Sequence, residues 1–124
     1  MPVTSSVIFL PVTDINKTYE FYANVLKLQV HQKQGSNLYI FDTGYGYWGF
    51  CQYDDGRKPL SGPKGVCLSL NLDNNEEVLE KYNELCDKCE VIKEPEKHPK
   101  FPVYSFFIKD PDGYMVEYQH IQKQ

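Results

Sequence analysis

Glu117 is a carboxylate that the sequence places among apolar and aromatic residues. Residues 114–121 have the composition of a β-strand, and strand alternation puts Met115, Glu117 and Gln119 on one face. A carboxylate without a partner in an apolar cleft is costly to ionise, so Glu117 could act as a general acid or base. It could also pair with a cationic ligand group. The alternative is a solvated or hydrogen-bonded carboxylate with no catalytic task, and both interpretations remain open.

The four cysteines include one Cys-x-x-Cys pair: Cys51, Cys67, Cys86 and Cys89. The sequence shows no secretory signal, so we expect free thiols rather than a disulfide framework. Cys86 and Cys89 follow a predicted helix, whereas thioredoxin-like motifs begin a helix, where the thiolate is stabilised. Packing or surface thiols are therefore favoured, with redox chemistry or zinc binding as the alternatives.

The three histidines are dispersed along the chain and do not form a metal-ligand motif. His31 lies on a predicted strand, His98 precedes a proline in a loop, and His120 is near the last residue. An isolated histidine is more often a packing or surface residue than a ligand.

Composition and charge exclude some classes of function. The aromatic share is 15% (10 Tyr, 7 Phe and 1 Trp), which indicates a core or cavity lined by rings. The net charge is -4 without any long basic block, so a nucleic-acid partner is disfavoured and a cationic ligand slightly favoured. No apolar run approaches the roughly 20 residues that cross a bilayer. We therefore expect a cytoplasmic protein with no membrane partner.

Two halves of the chain repeat one order of predicted elements. Residues 7–12 and 66–72 are strand-like, and each is followed by a helical spacing of apolar residues. Asp14 is positioned to cap the first helix. Asp73, followed three residues later by Glu76, predicts a capping box at the start of the second.

Three further strands follow each helix: residues 28–34, 37–42 and 47–53, then residues 90–94, 103–108 and 114–121. The last two strands of each half are joined by turns in which Gly46 aligns with Gly113. We therefore predict one domain over residues 1–124. Module 1 covers about residues 5–53, a polar linker about 54–64, and module 2 about 65–122.

Three segments together resemble the vicinal oxygen chelate superfamily, which includes glyoxalase I, extradiol dioxygenases, and fosfomycin- and bleomycin-resistance proteins. Residues 11–14 with 21–26 are close to the family's V-x-D … F-Y-x-x-V-L-G opening, with Lys27 where Gly is usual. Residues 66–73 match the start of the second module, and residues 107–117 are close to F-x-x-D-P-D-G-x-x-x-E. The resemblance implies an α+β fold in which two βαβββ modules form a curled mixed sheet around a cavity.

The resemblance also implies four positions for ligands of a divalent metal, one on the first and one on the last strand of each module. His, Gln or Glu usually occupy them. We place these positions seven residues before the helix-opening Asp and four residues after the turn glycine, at Val7, Phe50, Val66 (or Gly65) and Glu117. One carboxylate cannot hold a catalytic metal, even if a shifted register adds Gln52. We therefore expect no metal and no other cofactor.

Two functions follow from this site. Trp48, Phe50 and Gln52 share a strand face, so with Met115, Glu117 and Gln119 they would line an aromatic, mostly apolar pocket. The chain would then be a metal-independent protein that binds an aromatic or cationic compound, as bleomycin-resistance proteins do, and the resemblance implies a homodimer. The alternative is a metal-dependent lyase, isomerase or dioxygenase of the glyoxalase I type. Simple core filling by rings such as Phe50 is a third possibility.

Overall fold

The structure, a computed structural model, describes residues 2–123, so both ends of the predicted 1–124 domain lie just outside the described residues. The chain divides into two compact units, Met1–Ser61 and Gly62–Gln124. The first contains module 1 and the second contains module 2. None of the helices within residues 2–123 has the length and apolarity needed to cross a lipid bilayer.

Module 1 contains one four-stranded mixed sheet and one helix. Its elements are β1 (Val7–Pro11), α1 (Ile15–Tyr19), a π-helical segment (Glu20–Val25), β2 (Gln29–Gln34), β3 (Leu38–Asp42) and β4 (Tyr47–Cys51). The strand order is β1-β4-β3-β2, with β1 parallel to β4 and the other pairs antiparallel.

Module 2 repeats this topology with β5 (Cys67–Asn71), α2 (Asn75–Leu85), β6 (Glu90–Lys97), β7 (Val103–Lys109) and β8 (Met115–Ile121). The strand order is β5-β8-β7-β6, and β5 is parallel to β8. The predicted pair of βαβββ modules is confirmed, because both halves show the same element order and the same strand pairing.

Each sheet packs one face against the helix of its own module. In module 1, the fully buried Tyr22 stacks on Phe50 with ring centroids 4.3 Å apart and meets Trp48 edge-on. In module 2, Phe106 stacks on Tyr118 at 5.4 Å and Tyr82 from α2 meets Phe106 edge-on. We call this the helix face of each sheet and the opposite one the helix-free face.

The two helices begin with side-chain caps. Asp14 accepts hydrogen bonds at Oδ1 from the amides of Asn16 and Lys17, as predicted. In module 2 the cap is Asn74, whose Oδ1 accepts from the amide of Glu77 at 2.8 Å. The predicted cap at Asp73 with Glu76 is therefore wrong by one residue. Asp73 with Glu76 and Asn74 with Glu77 both have side chains that can cap a helix. The residue at which the backbone becomes helical determines which pair forms the cap.

The first helix ends in a wider coil than the second. The amide of Leu26 donates to the carbonyl of Phe21, five residues back, at 2.9 Å. Lys27 then adopts a left-handed φ of 61°, at the position where the resemblance predicted glycine. Such a backbone is strained for a residue with a Cβ.

Candidate functional site

The strand register shows which residues of the two modules are equivalent. Val7 pairs with Tyr47 in module 1, and Cys67 pairs with Met115 in module 2. Two residues further along each strand, Phe9 pairs with Gly49, and Ser69 pairs with Glu117. Glu117 therefore corresponds to Gly49.

Phe50 is not the counterpart of Glu117, and that part of the sequence alignment is wrong. The β3–β4 turn, residues 43–46, has four residues, whereas the β7–β8 turn, residues 110–114, has five. Aligning the turn glycines shifted one strand by a residue, and a shift of one residue moves every side chain to the other face. Trp48 and Phe50 consequently lie on the helix face, at 8% and 0% exposure, whereas Glu117 lies on the helix-free face of its own sheet.

Gln52 lies just after β4 and contacts the start of α1. Its Oε1 accepts a hydrogen bond from the amide of Ile15 at 3.0 Å, so this side chain satisfies one of the free amides at the helix start. Its predicted part in ligand binding has no geometric support within module 1.

Glu117 forms a short hydrogen-bonded cluster with two side chains of β5. The Ser69 hydroxyl donates to Glu117 Oε1 at 2.6 Å, a distance typical of a bond to an ionised carboxylate. Cys67 Sγ lies 3.5 Å from Ser69 Oγ and 3.9 Å from Glu117 Oε1. Glu117 is half-buried, while Cys67 and Ser69 are exposed, so the cluster is open to solvent on one side.

The Cys67 thiol is held in its neutral form. Burial raises its pKa, the hydrogen bond with Ser69 lowers it, and the charge of Glu117 raises it again, with a net rise. Cys67 is therefore a weak nucleophile at neutral pH.

Other residues extend this helix-free face. Gln119 Nε2 donates to Asn71 Oδ1 at 3.0 Å, one step along from the Ser69–Glu117 pair. Met115 precedes Glu117 on the same face, and Phe107 of β7 is the register partner of Glu117. The helix-free face of module 2 thus combines one carboxylate (Glu117), two amides (Gln119 and Asn71), a thioether (Met115) and an aromatic ring (Phe107). Met115, Glu117 and Gln119 share one face, as predicted.

The module 1 positions equivalent to Cys67, Ser69 and Glu117 are Val7, Phe9 and Gly49, which carry no polar side chain. A Cβ on Gly49 would lie 2.6 Å from two ring atoms of Phe9, so the Phe9 ring occupies the space that a side chain would need. Val7 and Phe9 are 41% and 46% exposed. At these three positions the helix-free face of module 1 is therefore apolar, whereas the equivalent positions of module 2 carry a thiol, a hydroxyl and a carboxylate.

None of the three histidines lies in this cluster. His31 contacts the ring of Tyr47 at 4.2 Å, and His98 Nδ1 accepts from the amides of Lys100 and Phe101. His120 Nδ1 lies 3.0 Å from the carbonyl oxygen of Leu72. Each has a local structural contact, as expected of isolated histidines.

Comparison with known proteins identifies the family. The model of the Glyoxalase/Bleomycin resistance protein/Dioxygenase superfamily matches residues 4–118, nearly the whole chain. The chain belongs to this superfamily. A comparison with curated proteins finds no match.

Solved structures of low sequence identity share the fold. A glyoxalase/bleomycin resistance protein/dioxygenase from Nocardioides has a TM-score of 0.77 at 18% identity, over 99% of this chain and 85% of that one. A family enzyme from Burkholderia phytofirmans PsJN has a TM-score of 0.78 at 19% identity, over 94% and 97%. A lactoylglutathione lyase from Agrobacterium tumefaciens has a TM-score of 0.73 at 22% identity, over 96% and 94%.

The residues present do not fit the divalent metal that the superfamily resemblance implies. The register moves two of the four positions, from Phe50 to Gly49 and from Val66 to Cys67, which gives Val7, Gly49, Cys67 and Glu117. Two of these have no donor atom, and the remaining pair is one neutral thiol and one carboxylate. Within residues 2–123, no three His, Cys, Asp or Glu side chains lie close enough together to hold an ion.

Sequence reasoning missed Cys67 and Ser69, although a signal for them was present. Cys67 lies seven residues before the true cap, Asn74, just as Val7 lies seven before Asp14. Placing the cap at Asp73 moved the expected position onto Val66. Ser69 follows from Cys67 by strand alternation.

Proposed function

We propose that this member of the superfamily is a metal-independent small-molecule-binding protein whose ligand is an organic cation with an aromatic or apolar body. The cation would bind Glu117 on the helix-free face of module 2. The proposal depends chiefly on the 2.6 Å hydrogen bond that fixes the Glu117 carboxylate beside Ser69. The role of Glu117 as a general acid or base stays a prediction.

The geometry of the carboxylate supports a ligand with N–H donors. Ser69 and Cys67 both approach Oε1, and no hydrogen bond to Oε2 forms within residues 2–123. The nearest lysine along β7, Lys109, lies 3.6 Å from Glu90 in an ion pair. A charged N–H group of the ligand could therefore donate to Glu117 Oε2 without competition from Lys109.

The neighbours of Glu117 support an apolar body. The Phe107 ring is placed beside Glu117 by the register, and Met115 adds a polarisable thioether. A cation near an aromatic ring gains a further attraction from the ring face. The net charge of -4 adds weak attraction at longer range.

Calorimetric titration with benzamidinium, and with neutral benzyl alcohol as its uncharged comparison, tests this proposal. We expect the wild-type protein to bind the cation more tightly than the alcohol. Glu117→Gln should lose roughly 10- to 100-fold in affinity for the cation, because a hydrogen bond to a charged group contributes about 1.5–3 kcal/mol. Glu80→Gln, on the exposed side of α2, is the matched control and should bind as the wild type does.

Equal binding of benzamidinium by wild type and Glu117→Gln would exclude Glu117 as the cation site. Ser69→Ala refines the result, because it leaves the charge and removes the hydroxyl that orients it. We expect a loss smaller than that of Glu117→Gln.

A metal-dependent lyase, isomerase or dioxygenase is the second candidate, and the match to the Glyoxalase/Bleomycin resistance protein/Dioxygenase superfamily favours it, although two of the four expected metal positions have no donor atom. Elemental analysis of the purified protein separates the two. Near-stoichiometric Zn, Ni, Mn or Fe that is lost in both Cys67→Ser and Glu117→Gln would overturn the metal-independent proposal. Wild-type protein without bound metal that still binds benzamidinium supports it.

A further inference from the structure

Cys86 and Cys89 lie on one helical turn just after α2. Cys86 is the C-cap residue that follows the last residue of α2, and its amide donates to the carbonyl of Tyr82 at 2.8 Å. The amide of Lys88 then donates to the carbonyl of Leu85 at 2.9 Å, which continues the coil by a tighter turn. Residues three apart on such a turn have Cα atoms about 5 Å apart. That separation lies inside the range that a disulfide requires.

Both thiols are reduced and neither is locked into the core. Cys86 is exposed and Cys89 is half-buried. The hydrogen bonds of the two thiols are weak, from Cys86 Sγ to the Asn83 carbonyl at 3.8 Å and from Cys89 Sγ to the Leu85 carbonyl at 3.3 Å. Cys86 is exposed to solvent at the C-terminal end of α2. Packing therefore does not account for the pair.

The two thiols differ in readiness to react. Burial raises the pKa of Cys89, the neighbouring Cys86 and Asp87 raise it further, and Lys88 lowers it. Cys89 is also the less accessible of the two. Cys86 is therefore the thiol that meets an external reagent first, and Cys89 lies three residues away to complete the reaction.

We infer that Cys86 and Cys89 form a site of reversible oxidation for a low-molecular-weight disulfide such as glutathione disulfide. The Cys86 sulfur, after loss of its proton, attacks one sulfur of glutathione disulfide, whose S–S bond breaks to release one glutathione thiolate. Cys89 then loses its proton and attacks the Cys86 sulfur of the mixed disulfide, and the second glutathione thiolate leaves. The two glutathiones gain the two electrons and two protons that the protein thiols lose.

The product would close a ring across the turn that joins α2 to β6. The ring is short, so the cross-link removes little entropy from the unfolded chain and adds little to stability. We expect module 2 to keep its fold in both the reduced and the oxidised state. The hydrogen bond from the Tyr82 hydroxyl to Glu94 joins α2 to β6 without the disulfide. The site is separate from the cluster around Glu117 and does not depend on the proposed function.

The experiment incubates fully reduced protein with glutathione disulfide, quenches it with iodoacetamide, and measures the intact mass. We expect wild-type protein to lose two hydrogens and to retain two of its four alkylatable cysteines, Cys51 and Cys67. Peptide mapping should place the new bond between Cys86 and Cys89, and dithiothreitol should restore all four thiols. Glutathione left on separate cysteines without an internal bond, or four thiols that stay alkylatable, would overturn the inference.

Single serine variants test the order of attack. Cys89→Ser should accumulate one glutathione on Cys86, because the resolving thiol is missing. Cys86→Ser should form the corresponding adduct on Cys89 more slowly. Peptide mapping of the wild type decides the existence of the bond without any variant, so a variant that folds poorly does not obscure the result.

Discussion

The two modules have one topology but different chemistry on their helix-free faces. In module 2, Ser69 and Glu117 form a short hydrogen bond across the parallel strands β5 and β8. In module 1, the equivalent strands β1 and β4 place the Phe9 ring over Gly49. The same position of the repeat is thus a carboxylate, Glu117, in module 2 and a glycine, Gly49, in module 1. At this position and at its strand partner, Ser69 in module 2 and Phe9 in module 1, only module 2 has polar side chains.

The helix faces, in contrast, are alike in both modules. Phe50 and Tyr118 are equivalent by register, both are buried, and each stacks on another ring of its own module. The equivalent positions on the helix faces are therefore both buried aromatic residues. The equivalent positions on the helix-free faces, Gly49 and Glu117, differ in chemistry. Substitutions on the two faces should have correspondingly different effects.

The largest expected effect separates the two faces of the module 1 sheet. Phe50→Ala should reduce the free energy of unfolding by about 3–5 kcal/mol, because it leaves a cavity under Tyr22. Phe9→Ala, on the helix-free face and 46% exposed, should cost about 1 kcal/mol. Urea unfolding followed by fluorescence of Trp48, the single tryptophan, reports on this module. Equal losses in the two variants would contradict the assignment of the faces.

A medium effect is expected where Phe9 meets Gly49. Gly49→Ala should cost about 1–3 kcal/mol, because the new Cβ would lie 2.6 Å from the Phe9 ring. Gly46→Ala is the matched control, since its Cβ would come no closer than 3.6 Å to another residue.

The double variant Phe9→Ala/Gly49→Ala sharpens this comparison. Removing the ring should recover most of the loss, and the same urea titration gives the coupling energy between the two positions. Strictly additive losses would mean that the ring does not fill the space over Gly49.

The smallest expected effect tests the corrected start of α2. Asn74→Ala should reduce the free energy of unfolding by about 1 kcal/mol, because the amide of Glu77 loses its acceptor. Asp73→Ala should cost only a few tenths of that, since the backbone amide of Asp73 still donates to Glu77. Thermal unfolding of both variants checks the order. A larger loss of unfolding free energy in Asp73→Ala than in Asn74→Ala would indicate that Asp73 is the cap, as the sequence predicted.

Much of the fold could be predicted from the sequence because alternation and helical spacing are local signals. All eight strands and both helices lie where the patterns placed them, with ends shifted by a few residues. The π-helical segment had no such signal. Its hydrogen bond joins the amide of Leu26 to the carbonyl of Phe21 five residues back, and the spacing of apolar residues does not encode that bond.

The site was predicted less well, because its register depends on contacts between distant residues. Gly46 and Gly113 look equivalent in sequence, yet Gly46 is the last residue of a four-residue turn and Gly113 is the fourth residue of a five-residue turn. Asp73 and Asn74 both have capping side chains, each with a glutamate three residues on. Glu117 was found from the family's turn motif, but its partners Cys67 and Ser69 become apparent only when β5 is paired with β8.

The central position of β4 and β8 has a consequence for how this architecture tolerates change. Each of these strands is hydrogen-bonded on both edges, to a parallel neighbour and to an antiparallel one. Residues can therefore be gained or lost at the hairpin tips, where Tyr45 is fully solvent-exposed, without sliding Gly49 or Glu117 along the sheet. Loop tips of this kind are natural places to insert a tag, a spectroscopic probe or an additional recognition segment.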